Sequence, residues 1–200
     1  KIIKNDYPEI EYIQLKKNYG FSGGYNRCFN YLKDKNPEYI ILLNNDTKVD
    51  GNILNCFIKA TELKGKHNIF GAKIFYQHKP KMIWYAGGKI NLKLGRIYHK
   101  GIRKMDCLEY SSQMETDYVT GCCLFTTMKV INQLDGFDEK FNMYVEDVDL
   151  CLRAKKEGIK CIYYPEAKIW HKVSFSSGGT YSIRKLYNKI NGRVRLIKKH

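Results

Sequence analysis

Four groups of residues in this chain have the types and spacing to do chemistry. The first centres on Asp46, in YIILLNNDT (39–47), where five residues suited to a buried strand run into a polar cluster. In open α/β sheets ligands bind just beyond the carboxyl ends of strands, so Asp46 stands where a metal ion or phosphate-bearing substrate would be held. A plain Asn-Asn-Asp turn closing the strand fits the same residues. The second group is FDEKFNMYVEDVDLCLR (137–153), in which Glu146 and Asp147 adjoin at the start of a predicted helix and Asp149 follows. Capping and the helix dipole account for one or two carboxylates there. A carboxylate kept ionised at a helix start, beside a substrate, also suits general-base work. The third is His171, after Ile169 and Trp170. A lone histidine is usually structural, but this one precedes a Ser/Gly-rich stretch, 174–180, of the sort that moves over active sites. Its imidazole would complete a metal site begun by Asp46. The fourth is the glycine-rich NYGFSGGYN (18–26), where backbone can approach a phosphate or ribose closely. It matches neither the P-loop nor the GxGxxG pattern. Asn18 and Asn26 carry amides able to hydrogen-bond a base or sugar.

The elements that must position these groups alternate in type over the first half. A short strand is predicted at 11–15, a helix from the glycine-rich turn to about Leu32, a strand at Tyr39–Leu43 and an amphipathic helix at 53–63. Such alternation predicts βαβ units and a parallel sheet. From 69 to 102, short aromatic and β-branched runs broken by glycines predict a hairpin excursion. A strand at 118–127, a short helix at 129–134 and a helix at 145–156 stopped by Gly158 follow. A strand at 160–164 is expected to end at Pro165. The last twenty residues place Ile183, Leu186, Tyr187, Ile190, Val194 and Ile197 at helical spacing among seven Lys and Arg. A basic amphipathic helix of this kind can lie on an anionic membrane. The preferred reading is that its stripe packs on the core.

Thirty-five basic against twenty acidic residues give a formal charge of +15, which favours anionic partners without choosing among nucleotides, nucleic acid and acidic membranes. No RRM, KH or helix-turn-helix signature is present, which disfavours nucleic acid. Seven cysteines without a CxxC pair or zinc spacing point to reduced core thiols in an intracellular compartment. No apolar run reaches the length of a membrane span, and the first residues do not read as a secretory signal. Two hundred residues suffice for one domain with a proper core.

Taken in order, NYGFSGGYN, YIILLNNDT, YVTGCCLF, GFDEKFNMYVEDVDLCLRAKKEG and PEAKIWH, with WYAGGKI between them, resemble family-2 glycosyltransferases, nearest the rhamnosyltransferase-like branch. The resemblance implies an α/β, Rossmann-like GT-A fold: a mostly parallel sheet with flanking helices and a small β excursion. It implies an inverting transferase that moves a sugar from a UDP- or dTDP-linked donor to a glycan or lipid-linked acceptor, with Mg²⁺ or Mn²⁺. It also implies a cytoplasmic place in cell-envelope polysaccharide synthesis, with the inner membrane face as a further contact. Asn44-Asn45-Asp46 matches the family's DXD motif, making Asp46 the metal and diphosphate contact. Asp147 matches the general base of the ED motif, with Glu146 beside it. His171 matches a metal or diphosphate ligand; Asn18, Gly23 and Asn26 match positions near the nucleotide, and Gly121 one beside the donor sugar. There are two departures. Asn44 replaces the first acid of the DXD pattern, and the family's first strand has no counterpart. Residues 1–200 are therefore expected to be one N-terminally truncated GT-A domain closed by a basic helix. An inactive fragment of such an enzyme and a basic nucleic-acid-binding domain are the alternatives.

Overall fold

The computed structural model describes residues 5–141, 144–173 and 183–200. Helix α1 (Gly20–Lys33) precedes strands β1 (Tyr39–Leu43) and β2 (Thr47–Val49), and α2 (Ile53–Lys64) precedes β3 (Ile69–Tyr76) and β4 (Lys79–Tyr85). Of the excursion predicted over 69–102, only a separate hairpin, β5 (Gly88–Asn91) with β6 (Arg96–His99), stands apart; β3 and β4 belong to the main sheet. Then come β7 (Met114–Glu115), β8 (Cys123–Thr127), α3 (Met128–Gln133), α4 (Glu146–Lys156), β9 (Cys161–His171) and α5 (Ile183–Lys199).

The main sheet has the order β1-β8-β3-β9-β2, with β4 on β3 and β7 on β9. The expectation of a mostly parallel sheet needs correction. β1, β3 and β9 share one direction, but only β3 and β9 are paired in parallel among the described residues. The crossover from β1 through α2 to β3 leaves a slot one strand wide, and β8 fills it antiparallel to both neighbours. Apolar runs report burial, not the direction of the strand alongside. Phe57 of α2 stacks on Phe125 of the sheet with ring centroids 4.8 Å apart, beside Phe70, while Leu42, Ile69 and Leu124, equally buried, alternate to the sheet's other face.

Three further expectations change. Residues 11–15 form no strand: they are largely exposed, and Glu11 instead pairs with Lys35 and accepts from the Tyr31 hydroxyl of α1 at 3.0 Å. β9 does not stop at Pro165 but continues to His171. The register against β3 jumps from Ala72↔Tyr164 to Lys73↔Lys168, so Pro165 sits in a bulge, where a missing N–H costs no ladder bond. On either side of that bulge β9 changes neighbours, from β7 to β2. Lastly, α5 turns its apolar stripe outward. Leu186, Tyr187, Ile190, Val194 and Ile197 are 46–64% exposed, and it is Leu196 that is buried. No described helix is long and apolar enough to cross a membrane.

Candidate active site

The first part of the site comes from strand register. β2 pairs antiparallel with the end of β9, Thr47 opposite His171, which brings Asp46 beside His171 across 125 residues of chain. The Lys172 N–H donates to the Asp46 carbonyl at 2.9 Å, and His171 Nε2 lies 3.1 Å from Asp46 Oδ1. Burial lowers the His171 pKa, against the pull of Asp46, so the ring is neutral near pH 7. Its Nδ1 is buried without a hydrogen-bond partner. Trp84 packs edge-on against it, with centroids 4.8 Å apart, and His99 packs on Trp84 at 4.4 Å.

A carboxylate is an oxygen donor that suits Mg²⁺ or Mn²⁺, and a neutral imidazole beside it fits Mn²⁺, the softer of the two, better than Mg²⁺. No cluster of three or more His, Cys, Asp or Glu positioned for a metal occurs among the described residues. Two protein ligands, with diphosphate oxygens completing the shell, is an ordinary arrangement for a cation that accompanies a nucleotide.

The second part is the start of α4. Asp147 Oδ2 accepts from the Gly121 N–H at 2.9 Å and Oδ1 from the Val148 N–H at 2.8 Å. Burial raises the Asp147 pKa, while these donors and the Thr120 hydroxyl oppose the rise. Glu146 differs from its neighbour. It is 8% exposed, its Oε2 has no partner, and burial followed by the Asp147 charge pushes its pKa up to about 8. Near pH 7 Glu146 thus keeps its proton. The two residues leading into this helix, Tyr144 (φ 72°) and Val145 (φ 64°), are in the left-handed region. For a β-branched valine that is a genuine strain, and such strain gathers at functional sites.

Asp149, read from sequence as a third acid of the cluster, has a different task. It is fully buried and receives Arg153 Nε at 2.9 Å, Lys199 Nζ at 2.7 Å and His200 Nε2 at 2.9 Å. Burial alone would raise its pKa; the bonds from Lys199, His200 and Arg153 outweigh that and hold it below the usual value. Asp149 therefore ties the chain's last residues to the back of α4.

The two parts converge on Cys122. The Asn44 N–H donates to the Cys122 carbonyl at 3.1 Å, and the Cys122 thiol, raised chiefly by its burial, feels the charges of both Asp46 and Asp147. An aromatic arc closes the other side: His171, Trp84, His99, Tyr118. Tyr118 lies against Gly88, where any Cβ would fall 2.2 Å from its ring, and its pKa is raised by burial and then by Asp147. Trp84, His99, Tyr118 and Thr120 are site residues that sequence reasoning did not single out. WYAGGKI and YVTGCCLF, which hold Trp84 and then Tyr118 and Thr120, were the signals that bore on them.

The residues expected around a nucleotide are placed less uniformly. Gly121 lies against Asp147, and a Cβ there would sit 2.7 Å from Phe21 Cζ. Asn44 is half-buried, its carbonyl accepting from the Thr47 hydroxyl at 2.6 Å, and Asn45 is exposed. Asn18 is exposed and accepts from the Gly20 N–H at 2.8 Å, setting the entry to α1. Asn26 is engaged in the fold: its Nδ2 donates to the Phe137 carbonyl at 2.8 Å and its Oδ1 accepts from the Phe137 N–H at 2.9 Å. Gly23 is buried under Arg27 and Glu139. With Ser22 donating to the Phe141 carbonyl at 2.8 Å, this part of α1 clamps the loop that leads to the acidic helix. The stretch 174–180, expected to move over the site, lies outside the described residues.

A mixed sheet of this order with helices on its flanks is the GT-A architecture. The solved structure of GalNAc-T7 with UDP, GalNAc and Mn²⁺ is similar to it, with a TM-score of 0.73 at 11% identity over 98% of this chain and 38% of that one. Residues 2–189 match the model for Glycosyltransferase like family 2, and the chain belongs to that family. Its relatives include the N-acetylglucosaminyl-diphospho-decaprenol L-rhamnosyltransferase of Mycobacterium tuberculosis, 24% identical over 86% of this chain and 62% of that protein. Rhamnosyltransferase WbbL of Escherichia coli is 28% identical over 91% of this chain and 71% of that protein. The chain thus spans about three-fifths of the mycobacterial relative's length.

Proposed function

We propose that the chain transfers a sugar, with inversion, from a UDP- or dTDP-linked donor to a hydroxyl of a glycan or lipid-linked acceptor. The observation that carries this reading is the Asp147 carboxylate, fixed by two backbone N–H groups, with its charge and that of Asp46 in the Asp46–His171 pair both felt at Cys122. Asp147 takes the proton from the acceptor hydroxyl as its oxygen attacks the anomeric carbon. The nucleoside diphosphate leaves from the opposite face, so a single displacement inverts that carbon. A covalent, retaining route would need a second ionised carboxylate on the sugar. Glu146, held neutral by burial, does not supply one.

Asp46 and His171 are the residues that would hold a Mg²⁺ or Mn²⁺ ion, whose charge would offset that of the departing diphosphate. Gly121, whose N–H holds Asp147, must be a glycine because any side chain there would strike Phe21. A lipid-linked acceptor is supported by the mycobacterial relative, whose name contains a decaprenol diphosphate. Family membership supports a transferase over the nucleic-acid-binding alternative.

The test is Asp147→Asn, which keeps the shape and removes the base. Transfer should fall by about 10²–10⁴ while the Kd for the nucleotide-sugar stays within about threefold. Undiminished turnover in this variant rules Asp147 out as the base.

A further inference from the structure

We infer that the outer face of α5 and the adjoining tip of the β5–β6 hairpin form a docking face for an anionic lipid bilayer. On its inner side α5 is anchored by Leu196, by Lys199 and His200 on Asp149, and by Gly192, where a Cβ would lie 2.9 Å from Val145 Cγ2. Residues 192, 196 and 199 share one side of a helix. That leaves Leu186, Ile190, Val194 and Ile197, also spaced along one side, pointing the other way at 46–61% exposure, with Tyr187 at 64%. A helix that merely packed on this domain would bury that stripe and leave its cations in water. Here cations serve as anchors and the stripe faces out.

The stripe does not end with the helix. Ile197 Cδ1 comes within 3.5 Å of where a Cβ on Gly95 would be, in the turn between β5 and β6, and the turn's Leu94 is 62% exposed. Exposed Arg193 and Lys198 on α5, and Lys93 and Arg96 on the hairpin, surround this apolar surface. Neither α5 nor residues 88–99 contain a single Asp or Glu. Apolar side chains set among cations, from two separate elements, match a bilayer surface with phosphate headgroups and acyl chains beneath. A second copy is a poor match, because it would set the outward Lys and Arg of one α5, with no Asp or Glu among them, against those of the other.

The face also lies directly behind the catalytic start of α4, since α5 packs on Tyr144 and Val145. Docking would hold Asp147 close to the membrane, within reach of an acceptor carried on a lipid. That last link rests on the transfer reading; the bilayer contact does not.

The experiment is flotation of the purified chain with phosphatidylcholine vesicles and with vesicles containing phosphatidylglycerol, at low and high salt. Binding to the anionic vesicles, weakened by salt, is expected. The double change Leu186→Ser and Ile190→Ser should lower it about tenfold, since two half-exposed aliphatic side chains leave the acyl boundary. Both sites are more than half exposed, so thermal unfolding and nucleotide-sugar binding should not move. Equal binding to both vesicle types, or no effect of the serine pair, overturns the inference. So does self-association in sedimentation velocity that the serine pair abolishes. Transfer to a soluble acceptor reports separately: its loss with vesicle binding intact tells against the transfer reading alone.

Discussion

Replacing Glu146 by Gln should stabilise the protein near neutral pH, and the size of the gain follows from the burial of this side chain. Glu146 is 8% exposed, with one carboxyl oxygen lacking a partner, and folding pushes its pKa from 4.5 up to about 8. In the unfolded chain it ionises near 4.5; folded, it keeps its proton until about pH 8. Its contribution is therefore fully favourable below 4.5 and is lost progressively as pH rises to about 8. At pH 7 the unfolded chain is already ionised at this site, about 2.5 pH units above the ordinary value, and each unit is worth ~1.4 kcal/mol. Folding then costs up to about 3 kcal/mol that a glutamine, with no proton to recover, does not incur. Asp147 shares the titration, so this is an upper bound for the pair. For a domain of this size the gain corresponds to a rise in Tm of roughly 6–12 °C at pH 7, shrinking to nothing near pH 4.5. Calorimetry on both forms across pH 4.5–8.5 measures it. Turnover at pH 7 should survive within a few-fold, since glutamine mimics the protonated acid. An unchanged or lowered Tm at pH 7 refutes the neutral-Glu146 assignment, and loss of turnover as large as that of Asp147→Asn refutes the division of roles.

Other changes probe other parts of the structure. Because burial raises Asp147, the acidic limb of kcat/KM should lie above the ordinary aspartate range, activity rising with pH as the base loses its proton; a limb near 4 would contradict this. Asp46→Asn should weaken Mn²⁺ binding in the presence of a nucleoside diphosphate about tenfold or more, read by calorimetric titration; an unchanged Kd removes Asp46 from the metal site. Asp106→Ala strips the partner, at 2.8 Å, of a Lys73 ammonium that is 3% exposed. It should cost about 3–5 kcal/mol in chemical denaturation, recovered in part by adding Lys73→Met. Gly192→Ala drives a methyl to within 2.9 Å of Val145 Cγ2. It should cost about 1–3 kcal/mol and lower kcat with the donor Kd unmoved; unchanged kcat would separate α5 from the base.

Much of the site was legible because its signals are local. Asp46 after an apolar run, Glu146-Asp147 opening an amphipathic helix and a glycine-rich turn before another helix are short-range patterns. What was misread depended on neighbours. Asn26 looked like a ligand contact because an amide near glycines can be one; only the approach of Phe137 to both its polar atoms makes it a clamp. Asp149 follows Asp147 by two residues in the same acidic cluster, yet the helical turn between them sends one to Gly121 and the other to Lys199 and His200. Pro165 looked like a strand end because a proline cannot donate, and the bulge that accommodates it exists only in the pairing with β3.

From its residues alone the chain determined its family, its acids and most of its helices, since periodicity, capping and motif order are written within a few turns of backbone. The sheet's directions, the pairing of Asp46 with His171 and the raised pKa of Glu146 were decided by the fold. Each depends on which strand lies alongside or how much water is excluded, quantities that no short stretch of backbone sets: His171 stands 125 positions from Asp46.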